Sequence, residues 1–212
     1  MLNLPSSTEF GRRVPKQKFY EHLDVSPEVK RLFIDQIKLI TWANKLSPQT
    51  MNLDAGQTVT EIEVFHIHLT GQELDKRTLE LMDRQIPYHI LFVLERPDGQ
   101  MQLRISYKEA AQSGDHAFRL RQSYATEFAP PESLTLPLDA LDMDGLYASI
   151  VRAIAGDALA APEQPLEQAV AQAQEKEKLQ RQITQLKAKM KKEKNLGKQM
   201  ELRREIRRLE DG

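Results

Sequence analysis

The sequence predicts an α+β fold, in which helices pack on a mixed β-sheet and a basic helical extension follows. Up to residue 157, segments of helical apolar spacing alternate with β-branched or continuously apolar segments. Residues 175–208 instead hold thirteen Lys and Arg against five Asp and Glu, although the 212-residue chain has a formal net charge of −1. We therefore divide the chain into an N-terminal basic arm (1–25), an α+β domain (26–157), a linker (158–165) and a basic helical tail (166–212).

The first helix is predicted to begin at Ser26-Pro27, because serine is a good N-cap and proline is tolerated at the first helical position. Its apolar positions recur at steps of four and three, which predicts a buried helical face continuing to about Trp42. These positions are Val29, Phe33, Ile37 and Ile40. Ser47-Pro48 is expected to end the helix.

Residues 58–69 are rich in β-branched residues and predict a strand that is covered on both faces. The tetrapeptide at 70–73, Thr-Gly-Gln-Glu, matches a capping box and predicts the start of a second helix, which Pro87 ends. The apolar run at 88–95 is typical of a central strand. Pro97-Asp98-Gly99 indicates a turn, so that 101–108 returns as the second strand of a hairpin.

The remainder of the domain is predicted to hold two strands and a helix. Residues 118–128 predict a strand, and 134–138 predict a short one. Residues 139–155 show helical spacing, and Gly156 is a suitable helix terminator.

The tail carries an apolar seam with the 4-3-4 spacing of a coiled coil, formed by Leu179, Ile183, Leu186 and Met190. The phase of this seam breaks at residues 195–197. The helix either kinks there and continues, or folds back as a hairpin. Asn195 and Gly197 favour the hairpin, because both residue types terminate helices well.

Composition excludes several classes of site. The chain has no cysteine, so disulfides, thiolate metal sites and cysteine nucleophiles are excluded, which fits a reducing cytoplasm. No run approaches the roughly 18 apolar residues of a membrane span, so we expect no membrane partner. The glycines form no phosphate-binding loop, and we expect no cofactor.

The basic tail predicts either contact with nucleic acid or contact with a protein. Basic side chains along a helix can neutralise phosphates without reading sequence. The candidates are Lys187, Lys191, Lys194, Lys198, Arg203, Arg204 and Arg207. The seam at Leu179, Ile183, Leu186 and Met190 is the candidate surface for a partner protein or for self-association, and both functions can coexist.

A divergent metal-dependent nuclease is the alternative. That chemistry needs two acids to hold a metal ion and a lysine to polarise the attacking water. Pro97-Asp98 and Lys108 lie on a suitable hairpin, but Ser106 occupies the position of the second acid. Substitute acids would be Glu61, Glu63 and Glu95.

Two smaller groups of residues favour structural explanations. His66 and His68 lie on one side of a strand, but a zinc site needs one or two further ligands, so we expect a hydrogen-bonded or solvent-facing pair and no metal. In the arm, Phe19 and Tyr20 are expected to anchor the segment on the domain. Its basic residues, Arg12, Arg13, Lys16 and Lys18, are expected to remain solvated.

Several motifs together resemble one bacterial family, domain of unknown function 4391. They are residues 15–20 (PKQKFY), 50–52 (TMN), 60–65 (TEIEVF), 83–89 (DRQIPYH), 106–109 (SYKE), 142–144 (DMD) and 193–195 (EKN). Members of this family are encoded beside Swi/Snf-type helicases and DNA methyltransferases in restriction-like, anti-phage gene sets. The resemblance therefore implies a role on the DNA side of such a system.

These observations together predict a non-catalytic accessory or adaptor protein of a bacterial DNA modification or anti-phage defence system. The tail is expected to dock a helicase or DNA methyltransferase subunit, DNA of any sequence, or both.

Overall fold

The computed structural model describes residues 2–21, 25–110, 118–159 and 163–211. Within these residues, six strands form one sheet in which the spatial order follows the chain order. The strands are β1 (Glu9–Arg13), β2 (Ile37–Leu46), β3 (Ile62–Leu69), β4 (His89–Glu95), β5 (Met101–Ala110) and β6 (Phe118–Ala125). The β3–β4 pair is parallel and the other four pairs are antiparallel. The predicted mixed sheet is confirmed.

The same residues contain six α-helices and four short 3-10 turns. The helices are α1 (Pro27–Gln36), α2 (Pro48–Met51), α3 (Lys76–Gln85), α4 (Met143–Ala155), α5 (Leu166–Lys192) and α6 (Leu196–Asp211). The 3-10 turns are Ser6–Thr8, Lys16–Phe19, Pro131–Ser133 and Gly156–Leu159. Helices beside a mixed sheet, followed by C-terminal helices, confirm the predicted α+β class.

Side chains alternate along the central strands, so each face of the sheet has its own apolar layer. On one face, Phe65 and Ile67 of β3 join Phe92 of β4 in a buried cluster that includes Phe33 of α1 and Met82 of α3. We call this the α1/α3 face. The remaining members of the cluster are Phe19, Tyr20, Ile37, Ile40, Leu69, Leu79, Ile90 and Leu94.

Helix α4 contacts β5 and β6 from the opposite face. The Tyr147 hydroxyl donates a hydrogen bond to Ser106 O (2.8 Å) and accepts one from Lys108 N (3.2 Å). The Tyr147 ring also lies 4.3 Å from the His89 ring, centre to centre. We call this the α4 face.

A loop is fastened to the first turn of α4 by one carboxylate. Asp144 accepts hydrogen bonds from the backbone N–H groups of Gln57 (2.7 Å), Thr58 (3.1 Å) and Val59 (2.8 Å). A Cβ atom on Gly56 would lie 2.6 Å from Val59 O and 2.7 Å from Asp144 Oδ1, so this close approach requires glycine.

The first predicted helix is too long, because residues 37–46 form β2 and not its second half. Helix α1 ends at Gln36. Ile37 and Ile40 fit a helical spacing, but in the structure they lie on a strand that pairs with both β1 and β3. Pairing on both sides satisfies the backbone polar groups and outweighs the local helical pattern. Ser47 then caps the short helix α2.

Two further predictions are wrong. The second helix begins at Lys76 with Asp75 as its N-cap, and 70–73 is not its capping box. Thr70 instead donates its hydroxyl to Asp35 O. Residues 134–138, all described, form no strand; the backbone N–H of Leu136 bonds to Asn3 Oδ1 (3.2 Å), a side-chain partner that no sequence pattern indicates.

The other predicted elements form, but three of them are shorter than predicted: β3 begins at Ile62 and not at 58, β6 ends at Ala125 and not at 128, and α4 begins at Met143 and not at 139. The predicted β4–β5 hairpin forms, and its turn is closed by a hydrogen bond from Gly99 N to Arg96 O (3.0 Å). The N-terminal segment contributes more than an arm, because β1 pairs along β2 as an edge strand. The chain divides into two compact units, Met1–Ala160 and Ala161–Gly212. Part of the predicted linker, at 160–162, lies outside the described residues.

Candidate functional site

Helices α5 and α6 form a helical hairpin. Only residues 193–195 connect the two helices, which contact each other. The Glu193 carboxylate accepts hydrogen bonds from the backbone N–H groups of Lys194 and Asn195 (2.9 Å each), and Asn195 Oδ1 accepts one from Lys198 N (3.1 Å). Asn195 thus caps the new helix. The predicted break is confirmed, and the hairpin alternative is correct.

The seven candidate basic side chains are all exposed on this hairpin. Lys187 and Lys191 lie one turn apart on α5, and Arg203 and Arg207 lie one turn apart on α6. Among them, Lys187 forms an ion pair with Glu210, with 2.7 Å between Nζ and Oε1. Rows of like charge at this spacing repel one another, so a bound polyanion would relieve the repulsion.

The candidate apolar seam is largely shielded. Ile183 is 5% exposed, and Leu179, Leu186 and Met190 are half-buried. Helix α6 likewise buries Ile206. Among the described residues of the hairpin, the large apolar side chains that remain exposed are Leu196 (72%) and Met200 (53%).

The candidate nuclease residues each have a separate partner. Asp98 belongs to the hairpin turn, where its Oδ1 accepts a hydrogen bond from Gln100 N (3.0 Å). Glu61 forms an ion pair with Lys45. Glu63 and Glu95 lie on opposite faces of the sheet, because successive side chains of a strand point to opposite faces. Glu63 is two residues before Phe65 and lies with it on the α1/α3 face, whereas Glu95 follows Leu94 of that face directly and lies on the other.

Glu63 is a buried acid. Its Oε2 accepts a hydrogen bond from Trp42 Nε1 (2.7 Å), and its Oε1 has no partner among the described residues. Burial, together with the nearby charge of Glu61, raises the pKa of Glu63 from 4.5 to about 7, although the Trp42 hydrogen bond and Lys45 oppose the rise.

Lys108 is buried in a polar network that sequence reasoning missed. Its Nζ lies 2.9 Å from Asp83 Oδ1 and donates to the carbonyl oxygens of Asp83 (2.9 Å) and Tyr88 (2.8 Å). Ser106 donates to Asp83 Oδ2 (2.6 Å) and shares a hydrogen bond with Ser123. Two backbone carbonyls and one carboxylate therefore surround the ammonium group of Lys108, which is itself buried.

Electrostatics in this network follow from burial. Burial raises the pKa of Asp83 and lowers the pKa of Lys108, while the attraction between the two charges opposes both shifts. The pair is thus a structural element between α3 and β5, and the nuclease candidates do not converge on one site.

Within the described part of the chain, three potential metal ligands come together on the α4 face, at the carboxyl ends of β3 and β4. His66 Nε2 lies 2.6 Å and His68 Nδ1 lies 3.3 Å from the same oxygen, Oε2 of Glu95. The two imidazole rings are 4.3 Å apart, centre to centre. Burial is the largest cause of a lowered pKa of His66, and the nearby His68 lowers this pKa further. Glu95 opposes the shift. Glu95 is thus the common neighbour of the two histidines, and the buried His66 Nε2 has no hydrogen-bond partner of good geometry among the described residues.

Sequence analysis considered all three residues but did not predict that Glu95 lies beside the two histidines. Glu95 comes from the next strand, and the parallel register places it directly beside His68. Alternation along β3 is enough to predict that the two histidines lie on the same face. The position of Glu95 beside them depends on the register of β3 with β4, which the sequence does not reveal.

The basic residues of the arm are mostly solvated. Arg12, Arg13 and Lys18 are exposed, while Lys16 donates to the carbonyl oxygens of Ile34 (2.9 Å) and Ile37 (2.7 Å) at the end of α1. Phe19 and Tyr20 are 5% and 8% exposed within the core cluster. Their predicted role as anchors is confirmed.

Among the described residues, no helix combines the length and apolar character needed to cross a membrane.

Comparison with known proteins assigns the chain to a family through its sequence and through no similar structure. Neither the curated proteins nor the solved structures contain a match. The family model described as Domain of unknown function (DUF4391) matches residues 2–212, nearly the whole chain. The chain therefore belongs to the DUF4391 family.

Proposed function

We propose that this protein is a non-catalytic accessory protein of a bacterial DNA modification or anti-phage defence system, acting in the cytoplasm, and that its basic hairpin binds DNA of any sequence. The observation that carries the proposal is the exposure of seven basic side chains on α5, α6 and their connection. The expected protein partner is a helicase or DNA methyltransferase subunit from the same gene set.

Phosphate contacts have a measurable signature. Each phosphate that a lysine or arginine neutralises releases counterions. A plot of the logarithm of the binding constant against the logarithm of salt concentration therefore has a slope of about −0.9 for each phosphate contact. Seven contacts therefore correspond to a slope of about −6. Because such contacts carry no sequence information, unrelated duplexes should bind with similar affinity.

The test is a gel-shift titration of the full chain at two salt concentrations. The triple variant Arg203→Glu, Arg204→Glu, Arg207→Glu should weaken binding to every duplex and reduce the salt slope by about 3. Glutamate is a good helix former, so the hairpin should persist, as circular dichroism can verify.

A matched control separates local contact from net charge. Arg12→Glu, Arg13→Glu, Lys18→Glu makes the same change in charge on exposed side chains of the other compact unit. It should leave most of the affinity intact. Equal losses in the two triple variants, or no DNA binding by the wild type, would contradict the proposed contact.

Protein docking is tested separately by co-purification with the helicase or methyltransferase subunit. Leu196→Ser with Met200→Ser changes accessible side chains, whereas Leu179→Gln with Leu186→Gln changes the half-buried seam. If the Leu196→Ser, Met200→Ser variant no longer co-purifies, the partner binds the hairpin as it stands in the structure. If only the Leu179→Gln, Leu186→Gln variant fails to co-purify, the partner binds a form in which α5 and α6 have separated. If the wild type co-purifies with neither subunit, the adaptor role is wrong.

A further inference from the structure

Three side chains with metal-ligating atoms meet between the two central parallel strands. His66 and His68 project from one side of β3, and Glu95 is the last residue of β4. The potential ligand atoms all lie within 4.8 Å of one another. The carboxyl ends of parallel strands are where open α/β sheets place bound ligands.

The distances are close to those that a single ion requires. Zinc bonds to imidazole nitrogen and carboxylate oxygen at about 2.0–2.2 Å, so tetrahedral ligands lie about 3.3 Å apart. The Glu95 oxygen is already 3.3 Å from the His68 nitrogen and 2.6 Å from the His66 nitrogen. The 2.6 Å separation is too short for two ligands of one ion, so metal binding requires the side chains to rotate until the three atoms are about 3.3 Å apart.

The backbone beneath the cluster is held on both sides. Strand β3 pairs with β2 along one edge and with β4 along the other. The side chains of His66, His68 and Glu95 are 12%, 32% and 25% exposed, so solvent reaches the cluster mainly at His68 and Glu95, while His66 Nε2 is buried. A metal ion can therefore enter, and water can complete its coordination.

We propose that His66 Nε2, His68 Nδ1 and Glu95 Oε2 bind one divalent transition-metal ion, with zinc as the best match. Two imidazoles and one carboxylate favour zinc, cobalt or nickel over magnesium and calcium, which prefer oxygen ligands alone. Three protein ligands leave a fourth position open to water, unlike the closed four-ligand sites of purely structural zinc. The ion would also join the ends of β3 and β4.

The experiment is calorimetric titration of the full chain with Zn²⁺ after removal of bound metal with a chelator and dialysis. The wild type should bind one ion per chain, and excess Mg²⁺ should not compete. His68→Gln and Glu95→Gln should each lower the affinity at least tenfold, since each removes one of three ligands. Co²⁺ as a second probe should give ligand-field absorption in the wild type and lose it in both variants.

Matched controls keep the result specific. Glu61→Gln removes a carboxylate immediately before β3, and Glu73→Gln removes an exposed one. Both should bind like the wild type. Glu95→Gln preserves size and shape, so it decides the matter if His68→Gln fails to fold. Absence of saturable one-to-one binding by the wild type, or equal affinity in Glu95→Gln, would overturn the proposal.

Discussion

Trp42 and Glu63 are joined across β2 and β3 by a 2.7 Å hydrogen bond from the indole nitrogen to the carboxyl group. Trp42 is the only tryptophan of the chain, so tryptophan fluorescence reports on the surroundings of this hydrogen bond. The Glu63 residue is 1% exposed. Ionisation of a carboxyl group this deeply buried must alter both the indole emission and the stability of the fold.

The first prediction concerns pH. Because the pKa of Glu63 is raised from 4.5 to about 7, the folded state binds more protons than the unfolded state between these values. The free energy of unfolding should therefore fall as pH rises through this window, by up to about 3 kcal/mol from this group. Urea unfolding at pH 5 and pH 8 measures the change, and Trp42 emission should titrate near pH 7.

Glu63→Gln should remove both effects, because glutamine keeps the acceptor for Trp42 without a titrating proton. The variant should be more stable than the wild type at pH 8. Glu73→Gln, at an exposed position, is the control and should titrate like the wild type. An emission transition near pH 7 that survives in Glu63→Gln would assign it to another group.

The second prediction concerns the buried pair of Asp83 and Lys108. Lys108→Met should reduce the free energy of unfolding by about 3–5 kcal/mol, since it leaves the buried Asp83 carboxylate without its counter-charge. Asp83→Asn combined with Lys108→Met should cost less than the sum of the single changes. Lys38→Met, at an exposed position on β2, should change stability by at most about 0.5 kcal/mol. A loss below 1 kcal/mol for Lys108→Met contradicts the burial argument.

The third prediction concerns the loop held by Asp144. Partial burial raises the pKa of this carboxylate, but the hydrogen bonds from Thr58, Val59 and Gln57 outweigh burial, and the pKa is lowered. The stabilisation is therefore present at neutral pH and is lost as pH falls below about 4. Asp144→Ala should cost about 1.5–3 kcal/mol and speed hydrogen exchange at the freed N–H groups.

Asp139→Ala is the control for that loop, because Asp139 is exposed. It should change neither the urea midpoint nor the exchange rates. Gly56→Ala should destabilise the loop by its steric clash with Val59 O. Unchanged exchange in Asp144→Ala would show that the loop is held by other contacts.

The fourth prediction concerns catalysis. Purified protein with Mg²⁺ or Mn²⁺ should not cut DNA, because the acids and Lys108 are engaged by different partners. The assay is incubation with supercoiled plasmid at several protein concentrations. Reproducible cleavage that Glu63→Gln abolishes would favour the divergent nuclease over the accessory role. Glu73→Gln again serves as the control.

The sequence predicted elements whose signals are local. The apolar run of β4, the Pro-Asp-Gly turn and the break before α6 depend on adjacent residues alone. The strand at 37–46 was missed because Ile37 and Ile40 fit a helical spacing, and only pairing with β1 and β3 decides between the alternatives. Local capping signals failed at Thr70 for the same reason, since its partner Asp35 lies far along the chain.

Candidate sites follow the same rule. The exposed basic positions of the hairpin were predictable, because a helix surface is read directly from spacing. Glu95 as partner of the two histidines depends on the parallel register of β3 with β4, and Asp83 as partner of Lys108 depends on the packing of α3 against β5. Neither relationship leaves a signal within one segment of sequence.

The agreement between strand order and chain order bears on how the protein is made and how it can evolve. A growing chain can add each strand to an existing edge of the sheet. Only the parallel β3–β4 pair requires a crossover, in which α3 carries the chain back to the end of the sheet where β3 began. The last strand ends at Ala125, so α4 covers a sheet that is already complete. Among the described residues, the tail contributes no strand to the sheet. Evolution can therefore lengthen, exchange or delete the hairpin without unpairing a single strand.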